Sequence, residues 1–163
     1  MNEAGIVVPE DTNFEDLPTY IGSYKGISIS TTTQIYPTDE LSLTGGFNGS
    51  LSHSNSAWDG SKVSGTVMSI NAIDFTNIKT LKITHGMNKW ASSTTLTTTN
   101  KVGLVDASGT WIKQATRTIS TQGNNSWTET FDVSSLTGLY YIAYYYYHCN
   151  RTSGNISSIY IQG

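Results

Sequence analysis

The sequence predicts an all-β chain, folded as a two-sheet β-sandwich or jelly roll, and three observations carry that prediction. Val, Ile, Thr and Tyr recur in short runs separated by Gly, Asn and Ser, the pattern of strands and turns. No stretch of about ten residues combines helical spacing of apolar positions with caps at its ends. Ser and Thr supply 45 of the 163 residues while charged residues make up only 13%, which leaves little for the solvated faces of helices.

The elements follow in order. Residues 1–24 are an acidic leader or linker without a long apolar run, and residues 25–163 form the domain. Gly26 to Tyr36 alternates apolar and polar residues and opens it as a half-buried strand. Leu43 to Gly65, rich in Gly, Ser and Asn, reads as loops around one short strand. A strand follows from about Val63 to Ile73. Asp74 and Thr76 then make a turn before a strand with Ile78, Leu81 and Ile83 as its apolar contacts. Gly86 to Asn100 reads as a long polar loop holding Trp90. Lys101 to Ser120 is a hairpin turning at Ala107 to Gly109, because Ser-Gly stands between two alternating segments. Gln122 to Asn125 form a turn and Trp127 to Val133 a strand. Leu139 to His148 form the tyrosine strand, Cys149 to Gly154 a loop, and Ile156, Ile159 and Ile161 mark the last strand. Eight or more short strands without helices argue for the sandwich.

The tyrosine strand is the most informative part of the chain, holding six of its ten tyrosines. Successive side chains on a strand point to opposite faces. Tyr140, Ile142, Tyr144 and Tyr146 therefore share one face, and Tyr141, Ala143, Tyr145 and Tyr147 the other. One face lines the core; the other lies under loops or is displayed to a ligand.

Charge and cysteine content exclude several classes. Residues 1–40 hold seven acids against Lys25 alone, net −6, while the remainder holds five acids against eight bases, net +3. That excess is scattered, so nucleic acid is not an expected partner. Cys149 is the single cysteine, so no internal disulfide forms. No apolar stretch reaches the 18 or so residues of a membrane span, and no secretory signal precedes the domain. The chain is expected to be made in the cytoplasm, to insert in no membrane, and to act in a virion or outside the cell.

Phe131 to Gly138 (FDVSSLTG), then the aromatic run YYIAY, then a loop, then ISSIYI resembles the closing strands of galactose-binding-like jelly-roll domains. Ile73 to Ile83 (IDFTNIKTLKI) resembles an earlier strand entry of the same family. The resemblance spans roughly Val63 to Gly163. Its members include many carbohydrate-binding modules, and similar sequences occur in tail and other virion proteins of bacteriophages. It implies a non-catalytic module for cell-surface or polymeric carbohydrate or for a receptor. Many relatives hold a structural calcium. The acids available here, Asp39, Glu40 and Asp59, form no recognisable calcium loop, so no cofactor is assigned and calcium stays open.

Candidate ligand-binding residues are Trp90, Tyr145, Tyr147, Tyr141, Trp58 and Arg151. A sugar ring offers an apolar C–H face to a flat aromatic. Covering about 100 Å² contributes roughly 2.5 kcal/mol, less than the 4 or so of a millimolar complex. Polar neighbours such as Asn150, Arg151 or His148 would supply the remainder. The competing reading of each tyrosine is a semi-buried ring with its hydroxyl paired. Trp58 and Trp90 fall in loop-like sequence, where recognition concentrates; Trp111 and Trp127 fall in strands and read as packing. His53, His85 and His148 lack zinc-ligand spacing, and no serine sits in a nucleophile elbow. Asp74 and Asp132 read as turn caps. Cys149 and His148, adjacent on a strand, face opposite ways and make no nucleophile pair.

A weak glycan site gains avidity when displayed in several copies. A trimer or other homo-oligomer, or a neighbouring virion protein, is thus a further expected partner. Two alternatives stand beside the binding module. One is a structural virion protein assembling through its leader and aromatic face; the other is a glycan-degrading enzyme or its ancillary domain.

Overall fold

Two antiparallel sheets face each other across the interior in the computed structural model, which describes residues 32–37, 45–90 and 96–163. The acidic leader, the start of the first expected strand, and Asp39 and Glu40 lie outside the described residues. The first sheet contains β1 (Thr32–Tyr36), β2 (Ser52–Asn55), β5 (Thr80–Lys89), β8 (Gly123–Asp132) and β10 (Thr152–Gln162). Its path runs β1-β10-β5-β8, with β2 also paired to β10. The second contains β3 (Lys62–Met68), β4 (Ile73–Asp74), β6 (Thr98–Val105), β7 (Trp111–Ile119) and β9 (Leu139–Cys149). Its path runs β3-β9-β6-β7, and β4 extends the β9 edge beside β3. This is an all-β sandwich with jelly-roll architecture, as the sequence predicts.

The core follows from period-two burial. Along β5 every second residue is buried, from Leu81 through Ile83, His85 and Met87 to Lys89. Ile156, Ile159 and Ile161 of β10 are buried against them, with a bulge between Ile156 and Ser158 restoring the phase. Ile142 and Tyr144 of β9 and Leu104 of β6 close the core from the second sheet.

Toward the β9–β10 end the interior turns polar. Asn100 is fully buried and acts as a hub, because the Tyr144 hydroxyl and His148 Nε2 both donate to its Oδ1, at 3.2 and 3.1 Å. Its own amide donates to the Gly86 carbonyl at 3.0 Å. Lys89 is buried at the end of β5, where its ammonium donates to the carbonyls of Leu96 and Ser120 at 2.6 and 2.7 Å. Asn100 and Lys89 are tolerated inside because they find hydrogen-bond partners there.

Four boundaries differ from expectation. Gly86 to Lys89 is strand, not loop, because β10 and β8 pair with it on either side. The segment after His148 shrinks to a two-residue turn at Asn150 and Arg151, and β10 begins at Thr152. Gly123 to Asn125 belongs to β8, paired with β5 through Lys89, Asn88 and Met87. The expected strand from Val63 to Ile73 divides into β3 and β4, with Ser69 bridged to Phe47 between them. The expected turn caps are in place. Asp74 accepts from the Thr76 amide at 2.9 Å, and Asp132 from the Ser134 amide at 3.0 Å. Asp106 does the same for Ser108 at 2.8 Å in the β6–β7 turn.

Candidate functional site

The β9–β10 connection positions the first part of the site. Asn150 and Arg151 both have positive φ, 32° and 51°, the requirement of a two-residue type I′ turn. Asn accepts this conformation readily, whereas Arg does so at some strain. Three bonds hold the turn. The Gly60 amide donates to Asn150 Oδ1 at 2.9 Å. The Arg151 amide donates to the Ala57 carbonyl at 3.2 Å, and the Trp90 amide to the Arg151 carbonyl at 2.9 Å. The turn therefore ties together the 56–61 loop and the end of β5.

Two tryptophans stand on that frame. Trp58 is 59% exposed and Trp90 40% exposed. The Arg151 guanidinium lies 4.4 Å from the centre of the Trp58 ring, so a cation backs one face of an exposed indole. Such contacts contribute about 0.5–1 kcal/mol at exposed sites, enough to bias the ring toward one orientation.

The second part lies on the outer face of β9. Ile142 and Tyr144 point inward and are fully buried, while Tyr141, Tyr145 and Tyr147 point outward and are only partly covered. The alternation read from sequence thus resolves with the expected face outward. The Lys101 ammonium lies 4.5 Å from the Trp111 ring centre and 5.7 Å from that of Tyr145. Lys62 lies 5.5 Å from the Tyr147 ring, and the neighbouring Tyr147 hydroxyl raises its pKa. Tyr141 pairs with Val105 toward the other end of β9.

The six candidates therefore form two groups: Trp58, Trp90 and Arg151 at the turn end, and Tyr141, Tyr145 and Tyr147 on the sheet. Lys62 connects them, since it pairs with Cys149 beside the turn and reaches Tyr147. Two polar neighbours expected to assist a ligand do not. His148 is fully buried on Asn100, and Asn150 is buried with Oδ1 committed to Gly60. Lys62 and Lys101 were not picked out by sequence reasoning, and Trp111 was read there as packing. Their contacts arise from strand register, which one sequence does not display.

A separate charged cluster closes the open side between β7 and β8. Arg117 grips Glu129 through two bonds, Nε to Oε1 at 2.6 Å and Nη2 to Oε2 at 3.2 Å. His85 Nε2 contacts the same carboxylate at 3.3 Å. The guanidinium holds the Glu129 carboxyl below its usual range, and burial lowers the pKa of His85. The cluster links the two sheets. Among the described residues no three His, Cys, Asp or Glu side chains converge as a metal site. Asp59, considered for calcium, caps the Ser61 amide at 2.9 Å.

No protein-family model matches the chain, and no curated protein matches it in sequence. Solved structures are similar in chain course. One is an arabinose-bound α-L-arabinofuranosidase at 15% identity and TM-score 0.45, covering 82% of this chain and 22% of that one. Another is the enzymatically active domain of tailspike protein 4 of bacteriophage CBA120, at 16% identity and TM-score 0.41, covering 81% of this chain and 16% of that one. A third is a family 6 carbohydrate-binding module at 16% identity and TM-score 0.38, covering 81% of this chain and 92% of the module. This chain spans about a fifth of the length of the first two.

Proposed function

We propose that this chain is a non-catalytic module that binds polymeric carbohydrate through the Trp58, Arg151 and Trp90 end of the sandwich. The observation that carries it is the exposed Trp58 ring backed by Arg151 on a turn held by three hydrogen bonds. A flat ring held from one side offers its other side to the C–H face of a sugar. Because the ring and turn are already ordered, binding loses less to side-chain ordering. Two such rings, at roughly 2.5 kcal/mol per 100 Å² covered, reach the range of a millimolar to sub-millimolar site.

A site of that strength suits display in several copies, for instance on a phage tail appendage that meets host cell-surface glycans. A glycan and cell-envelope binding screen, run beside light scattering, tests the reading. Saturable binding that Trp58→Ala and Trp90→Ala each weaken without unfolding supports it. No binding from a defined oligomer would turn the assignment to a structural assembly protein, and release of products from a bound glycan would turn it to an enzyme.

A further inference from the structure

The second sheet has an unusual charge pattern. Its four long strands, β3, β6, β7 and β9, contain no Asp or Glu, yet hold Lys62, Lys101, Lys113 and Arg117. Register places Thr66, Tyr145, Lys101 and Thr116 in one row across the outer face, and Ser64, Tyr147, Thr99 and Thr118 in the next. Among the described residues the only ion pairs are those of Glu129 with His85 and Arg117, so neither Lys62 nor Lys101 meets a carboxylate. Both instead rest over aromatic rings. Two cations that pair with no carboxylate among the described residues therefore flank β9, one on each neighbouring strand, in a field of hydroxyls.

This surface has three complementary parts: ammonium groups for an anion, Ser and Thr hydroxyls for hydroxyls, and tyrosine rings for C–H faces. Tyr145 and Tyr147 stand about 7 Å apart along the strand. A chain lying along β9 meets Lys101 beside the first and Lys62 beside the second. We infer that this face binds an acidic polysaccharide whose ring carboxylates pair with Lys62 and Lys101 while its sugar rings pass over Tyr145 and Tyr147. The inference rests on the carbohydrate-binding reading above, and adds to it a second surface and a chemical class of polymer.

Other occupants fit less well. Two lysines on a chain of net charge −3 neutralise few phosphates of a nucleic acid. A second copy docked by a two-fold axis would bring the Lys62 and Lys101 face against itself.

The test is affinity electrophoresis and calorimetric titration of the whole chain against polygalacturonate, alginate and hyaluronate. Carboxyl-reduced polygalacturonate, a ribitol-phosphate polymer and oligo(dT) serve as comparators, and light scattering runs alongside. The expected result is binding to at least one uronate polymer and about tenfold weaker binding to its reduced form. Raising salt from about 50 to about 500 mM lowers uronate affinity by a similar factor. Lys62→Gln and Lys101→Gln, separately and together, lower uronate affinity with unchanged melting temperature, while Trp58-dependent binding of neutral glycans persists. Lys62 is exposed, so its single variant keeps the test valid if the double variant is unstable. Neutral binding without uronate binding would overturn this inference and leave the carbohydrate reading intact. So would insensitivity to the lysine changes, or preference for oligo(dT) or the phosphate polymer. Dimerisation with no polymer bound would overturn both.

Discussion

The Arg151 guanidinium lies 4.4 Å from the centre of the Trp58 ring while its backbone occupies the left-handed region at φ 51°. The side chain and the backbone thus pull in different directions, since a bulky residue is strained where glycine is not. Arg151→Gly separates them. It keeps the turn, relieves the strain and removes the cation behind the indole. Stability in denaturant is expected to stay within about 1 kcal/mol of the parent, while affinity for the glycan selected by screening falls three- to tenfold, about 0.7–1.4 kcal/mol. Unchanged affinity would show that Trp58 needs no backing.

His148 sets an acid limit on stability. Burial pushes its pKa down to about 4, against 6.5 for the ordinary imidazole. Nε2 donates to Asn100 Oδ1, and Nδ1 is buried without a partner. The folded pKa is depressed, so the unfolded chain takes up the proton first as pH falls. The contribution is fully present above about pH 6.5 and is lost toward pH 4, on the order of 3 kcal/mol in all. His85, also lowered by burial, acts in the same direction. Denaturant midpoints are expected to drop between pH 6.5 and 4.5, and His148→Gln to flatten part of that drop. A pH-independent midpoint would contradict the buried neutral imidazole.

Two glycines distinguish backbone strain from collision. Gly103 has φ 153°, and a Cβ there would meet the Lys113 carbonyl oxygen at 2.0 Å. The obstacle is backbone at a bulge in the β6–β7 ladder, where register shifts between Leu104 and Val105. Gly109, at φ 82° in the β6–β7 turn, has nothing within 4 Å of its Cβ position. Gly103→Ala is expected to cost about 3 kcal/mol and Gly109→Ala about 1. Equal costs by denaturant unfolding would refute the bulge geometry.

Glu129 joins the two sheets through Arg117 and His85. Glu129→Ala leaves a buried imidazole and a half-exposed guanidinium without their acceptor, so unfolding is expected to become about 2–3 kcal/mol easier. Because the cluster lies away from the Trp58 end, glycan affinity at a temperature well below the melt should not change. Affinity loss at retained fold would place the cluster in recognition.

Much of the fold was legible because it rests on local alternation. The inward phase of Ile142 and Tyr144, the three isoleucines of β10, and the Asp-capped turns at Asp74 and Asp132 each follow from neighbours in sequence. What remained hidden depends on pairing. Gly86 to Lys89 looks like loop because Gly and Lys are poor strand formers; its strand character comes from β8 and β10 on either side. The Asn-Arg-Thr-Ser-Gly run after Cys149 looks like a loop, yet only its first two residues turn. For the candidate site, exposure of Trp58 and Trp90 was readable from their polar surroundings. The stacking of Arg151 on Trp58 and the seating of Lys101 between Trp111 and Tyr145 were not, since both join distant segments. The burial of His148 was missed for the same reason: its partner Asn100 lies on another strand.

Carbohydrate binding at the Trp58 end of the sandwich is tested by calorimetric titration of the parent and Trp58→Ala with the strongest glycan from the screen. The parent is expected to give a saturable isotherm, and the variant, melting at the same temperature, an affinity at least tenfold lower. Equal isotherms from the two folded proteins would contradict it.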